Sequence, residues 1–198
     1  MGNEIATTIT ALFIGIGLSA ACGFRIFVPL LVASIAAKAG HIQLAAGWEW
    51  IGSYTAIVAF SAATALEIAA YYVPWLDNLL DSVASPAAIV AGILITASAA
   101  KGMSPLMRWS LAVIMGGGAA GVVQATTTIV RAASSATTAG AANPAVSTAE
   151  AGFSVGLSLL AVFVPFIAAA IVVTLMLAAL RFIYRKLRPR KQPAQPAQ

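Results

Sequence analysis

Two opposite charges sit in stretches that offer them no local partner. Arg25 lies within TITALFIGIGLSAACGFRIFVPLLVASIAAK (residues 8–38) and Glu67 within YTAIVAFSAATALEIAAYY (residues 54–72). Each alone in hydrocarbon costs about 3 kcal/mol or more, so both are expected to face the protein interior or a water-filled cavity. Pairing with each other is the natural solution. Such a pair can fix how two helices dock, or it can form a polar centre that binds an ion or an anionic group. Buried pairs are not reliably stabilising, and the sequence leaves both roles open. A second polar set, Gln124, Thr126, Thr127, Thr128 and Arg131, lies in a segment otherwise built of small residues. Polar groups at membrane depth need partners, and a water-lined face would supply them. The candidate centre is therefore Arg25, Glu67, Gln124, Thr127 and Arg131, with Thr126 and Thr128 beside them.

Other chemistry is thinner. Asp77 and Asp81 stand one helical turn apart with Asn78 alongside, a spacing that can place oxygen ligands on a divalent cation. It is also the composition of a solvated loop. Metal-dependent prenyl- and phosphatidyl-transferases use paired Asp-rich motifs, whereas this chain has one, so no metal or cofactor is expected and an enzyme is the weakest of the readings. His41 is the sole histidine and suits a headgroup contact better than a base. No nucleophile elbow, HExxH pair or Gly-Lys phosphate loop occurs, which disfavours primary ATP-driven transport. The single cysteine, Cys22, allows no internal disulfide.

The elements that must position these groups are apolar helices. The chain has 198 residues, 61% apolar and 9% charged, which excludes a water-soluble globule. At about 20 residues per span, the apolar regions predict an all-α, polytopic integral membrane protein of about six transmembrane helices with broken, re-entrant or kinked segments. Residues 8–38 would make a helix roughly 45 Å long against a hydrocarbon core of about 30 Å, so a break is expected between Gly23 and Pro29. Pro74 should close the helix at 54–72, PWLDNLLDSVASP should form an outside loop, and Pro86 should start a short span ending before Lys101. Gly117 and Gly121 form a GxxxG pair that predicts close helix packing, with an interruption near 116–121. Ser147 and Glu150 have the spacing of a capping box at a helix start. Pro165 should kink the last apolar region, 152–184.

Residues 1–185 read as one transmembrane domain. A loose match of 17–40 with 116–140 suggests a two-fold internal repeat over about 8–100 and 108–185. Six of the 11 basic residues (Arg181, Arg185, Lys186, Arg188, Arg190 and Lys191) cluster at the end of the chain, and 186–198 reads as a basic, Pro/Gln-rich disordered tail. The positive-inside rule places that tail, with its anionic headgroup partners, in the cytoplasm, along with Lys101, Arg108 and the N-terminus. No aromatic residues interleave with these charges to stack bases, so no nucleic-acid partner is expected.

Three strings together, CGFRIFVPLL from Cys22, LEIAAYYVPWLDNLLDSVASPAA from Leu66 and SSATTAGAANPAVSTAE from Ser134, resemble the bacterial multi-pass membrane family known as domain of unknown function 4126. The resemblance covers nearly all of the chain before the basic tail. It implies a bacterial cytoplasmic (inner) membrane protein and no particular activity.

The preferred function from the residues is a transporter or channel-like protein that passes or binds a small solute, ion or lipid group at the polar centre. The alternatives are a non-transporting scaffold that packs into a homo-oligomer or partner complex and, behind it, a metal-dependent lipid-modifying enzyme.

Overall fold

A computed structural model describes residues 2–187; residues 188–198 of the basic tail and the side chains of Asp77 and Asp81 lie outside the described parts. Seven helices are present among the described residues. They are α1 Gly2–Cys22, α2 Phe27–Lys38, α3 Tyr54–Ala70, α4 Pro74–Ala99, α5 Pro105–Thr138, α6 Asn143–Phe163 and α7 Pro165–Leu187. By length and composition α1, α5 and α6 are able to cross a membrane, and α2, α3, part of α4 and part of α7 form shorter apolar helices. The chain is an all-α membrane protein.

Side-chain contacts give the direction of every helix. α6 runs opposite to α1, because Ala21 meets Ser154 while Gly17 meets Ala161. The break after Cys22 is a reversal. Glu67 meets Ile26 at the start of α2, and His41, just past its end, meets Phe163 at the far end of α6, so α2 folds back along α1. α3 returns along α2, from Tyr54 beside Lys38 to Glu67 beside Ile26. α4 runs against α1, with Gly92 at Ser19 and Thr96 at Gly15. α5 runs with α1, from Gly116 near Thr96 to Val123 near Gly23. Gly17 faces both Ala161 and Ala168, so α6 and α7 form a second hairpin. Seven alternating helices put the N-terminus and the end of α7 at opposite ends of the bundle. Lys101 and Arg108 lie at the end of the bundle where α1 begins, away from the last turn of α7.

Several predicted breaks are replaced by different geometry. Gly23 and Phe24 donate to the carbonyls of Ala20 and Ala21, tightening the last turn of α1 before the reversal. Pro29 lies in the first turn of α2, where its missing amide forfeits no helix bond. PWLDNLLDSVASP is not a loop. It forms the first half of α4, with Pro74 at the helix start and Pro86 inside, where one lost backbone bond is tolerated. Gly117 and Gly121 do not interrupt α5, which continues through a π-helical turn at Ala112–Gly117. Both glycines instead seat Ile93 and Ile89 of α4. Pro165 does more than kink: α6 ends at Phe163 and Pro165 begins α7 after the reversal at Val164.

Between lipid-solvated helices, association depends on close contact and interhelical hydrogen bonds rather than on expelling water. The core accordingly consists of fully buried small residues, among them Ala20, Ala21, Ala33, Ala119, Ala120, Ala161 and Ala168. A methyl group placed on Gly92 would lie 2.6 Å from Ala120 Cβ, which measures how close α4 and α5 come. The Ser19 hydroxyl lies 2.6 Å from both the Gly92 carbonyl and Thr96 Oγ1, and Ser154 donates to the Ala21 carbonyl at 3.0 Å. Large apolar side chains such as Val58, Leu66, Ile114, Phe153 and Phe163 point outward, as a lipid-facing surface requires.

Candidate functional site

The α1–α2 reversal is clamped on α5. A Cβ on Gly23 would fall 2.6 Å from the Ala120 carbonyl and 2.6 Å from Val123 Cβ, so only glycine fits there without displacement. Thr127, buried on the same side of α5, reaches the Gly23 carbonyl at 3.5 Å and that of Gln124 at 2.9 Å. Gln124 is also buried against this turn. Thr126 and Thr128 return their hydroxyls to carbonyls of their own helix, at Val122 and Gln124.

With the turn fixed, Arg25 is 2% exposed and projects toward α6. Its Nη2 donates to the Ser147 carbonyl at 3.0 Å and to the Ser147 hydroxyl, and lies 3.3 Å from Glu150 Oε2. Arg131, delivered by α5, takes the same carboxylate: Nε donates to Oε1 at 3.0 Å and to Oε2 at 3.1 Å, while Nη2 pairs with Oε2. Tyr71, buried at the α3–α4 turn, presents its ring to both cations, with Arg25 Cζ at 3.8 Å and Arg131 Cζ at 4.3 Å from the centroid. Cations on an aromatic ring are favoured most where water is excluded.

Glu67 has a different task from the one its position in the sequence suggests. Its two oxygens accept from the backbone amides of Ile26 at 2.8 Å and Phe27 at 3.0 Å. A carboxylate thus caps the otherwise unsatisfied start of α2, where the helix dipole favours negative charge. The expected Arg25–Glu67 pairing is replaced by pairing of Arg25 with Glu150. The two charges are still neighbours in the chain's interior, joined through the backbone at residues 25–27.

Three members of the centre, Glu150, Ser147 and Tyr71, are not among the residues that the sequence assigns to it. The capping-box expectation for Ser147 and Glu150 fails because α6 begins earlier, at Asn143, leaving both inside the helix and buried. The available signal was scarcity, since Glu150 is one of only 6 acidic residues in the chain. His41 is exposed and stacks edge-on against Phe163, with ring centroids 5.3 Å apart. An apolar groove of about 400 Å³ opens between α2 and α4, lined by Ile26, Phe27, Leu30, Val83, Pro86 and Val90 among others.

An all-helical bundle with a lipid-facing exterior and a buried charge cluster defines a multi-pass membrane protein. Residues 12–185 match the family described as Domain of unknown function (DUF4126), and the chain belongs to that family. No curated protein and no solved structure matches it significantly.

Proposed function

We propose that this chain is a multi-pass protein of the bacterial cytoplasmic membrane that binds a small solute, ion or lipid group at the Arg25–Arg131–Glu150 centre and passes it across the bilayer. The main support is that four separated segments bring charged or aromatic groups to one buried point beside a helix break. A single ion pair would suffice to dock two helices, whereas here, among the described residues, two guanidiniums, the Glu150 carboxylate and an aromatic ring converge. Irregular backbone at membrane depth is tolerated chiefly where it is buried in protein or lines a cavity, and in transporters such breaks carry the binding site. The π turn at Ala112–Gly117 supplies a place where α5 can shift against α4. The C-terminus, with the larger share of basic residues, is assigned to the cytoplasmic side, next to anionic headgroups. No catalytic step is proposed.

The test is flux. Proteoliposomes holding the purified chain are assayed with a panel of anionic, cationic and neutral small solutes, and Arg25→Gln is compared with the parent and with Gly152→Ala, a surface control. Flux in the parent and the control that is lost in Arg25→Gln supports the reading. Absence of flux for every class in folded, reconstituted parent overturns it. A second reading, a scaffold assembling into a homo-oligomer or with a membrane partner, is favoured by the tight Gly and Ala contacts of α1, α4 and α5. It expects no flux and a stable complex in gentle detergent.

A further inference from the structure

α2 and α4 both pack on α1 but scarcely touch each other, and the apolar groove lies between them. The separation is held from both sides. Gly92 draws α4 against Ala120 of α5, and Glu67 of α3 ties down the first amides of α2. The described side chains that line the groove are all apolar; Ala91 is buried at its base, while Val83, Val90 and Leu94 stand exposed along it. Water would find no polar partner there, and a slot left unfilled forfeits the dispersion contacts of its lining.

Size decides what fills it. From Val83 to Leu94 the groove follows α4 for about 17 Å, close to the depth of one leaflet in a hydrocarbon core about 30 Å thick. A volume of about 400 Å³ over that length leaves a mean cross-section of about 24 Å². A helix with its side chains is about 10–12 Å across, roughly 80 Å² or more, and is too wide to be seated there. The tail, RPRKQPAQPAQ at 188–198, carries no large apolar side chain to lay in it. A single hydrocarbon chain, whose carbons sit about 4 Å from their neighbours, matches both the width and the length.

We infer that the α2–α4 groove is a binding site for one acyl chain of a bilayer phospholipid, which stays with the protein when the surrounding lipid is removed. Hydrocarbon gains nothing by leaving one apolar medium for another, so retention rests on the fit between chain and groove. The bound chain lies against Phe27 and thereby supports the turn of α2 that Glu67 caps. The site stands whether or not a solute crosses the bilayer.

The experiment uses the full chain extracted into dodecyl maltoside, with native mass spectrometry counting the phospholipids that remain. Ala87→Phe places a ring in the groove, and Val58→Phe, on the outward face of α3, is the control. The parent and Val58→Phe should keep a phospholipid that Ala87→Phe loses, its occupancy falling at least fivefold. Equal retention in all three, or none in the parent, overturns the inference. If Ala87→Phe does not yield folded protein, tryptophan fluorescence of Val90→Trp and Val58→Trp decides, both positions being more than half exposed. Phosphatidylcholine brominated on its acyl chains, added to the detergent-solubilised variants, should quench the tryptophan at 90 at least twofold more than that at 58, and equal quenching overturns the site. Oxidative cross-linking of Val90→Cys in native membranes tests the competing occupant, since Cys22 is buried and does not interfere. Monomer supports the acyl chain, whereas a disulfide-linked dimer would put a second copy over the groove and overturn it.

Discussion

The Arg25 guanidinium lies 3.3 Å from the carboxylate of Glu150, which Arg131 also holds. The three charges form a chain with the anion in the middle, so removing different members has unequal consequences. Glu150→Gln removes the carboxylate that both buried guanidiniums share and should destabilise the detergent-solubilised protein by about 3–5 kcal/mol. Arg25→Gln leaves the Arg131–Glu150 contact in place and should cost less. Thermal unfolding followed by loss of the monodisperse peak gives the ranking. An equal or reversed order would mean that Glu150 is not the shared partner.

Glu67 is expected to act as a helix cap. Glu67→Ala orphans the amides of Ile26 and Phe27 in a half-buried setting and should cost about 1–3 kcal/mol. Glu67→Gln retains one acceptor oxygen and should retain part of that stability. Hydrogen exchange at the first turn of α2 should accelerate in Glu67→Ala more than anywhere in α6; exchange that stays unchanged there would refute the cap.

The seat of the reversal is tested by contrasting two glycines. A methyl group on Gly23 would meet the α5 backbone, while one on Gly152 meets nothing within 4 Å. Gly23→Ala should therefore destabilise by about 1–3 kcal/mol, in the range of overpacked cores. Gly152→Ala should be neutral within about 0.5 kcal/mol. Matching thermal stabilities for the two variants would contradict the close approach of α1–α2 to α5.

The direction of the helices makes a topological prediction. Reporters fused to the N-terminus and to the C-terminus should fall on opposite sides of the membrane, with the C-terminal fusion cytoplasmic. A cysteine placed at Ser53 should be labelled from the same side as the N-terminal reporter, because the 39–53 connection lies at the end of the bundle where α1 begins. Both termini on one side would show that the seven helices do not cross the membrane in alternation.

Composition alone determined the environment. With 9% charged residues and apolar runs throughout, no partition into a water-soluble core and surface exists, and membrane helices are the remaining solution. Arg25, Gln124, Thr127 and Arg131 were legible as interior groups because isolated polar side chains in such runs are costly unless gathered together. Pairing was not legible. Arg25 and Glu67 are each other's obvious partners along the chain, yet the reversal at residues 23–26 turns Arg25 toward α6 and offers Glu67 the free amides of α2 instead. The prolines were ambiguous for a similar reason: Pro74, Pro86 and Pro165 carry the same restriction but occupy a helix start, a helix interior and a start after a reversal. Which way a helix turns after it stops depends on what it can pack against. Only the tertiary structure decided that, by seating Gly23 on the backbone of α5 and Gly17 between Ala161 and Ala168.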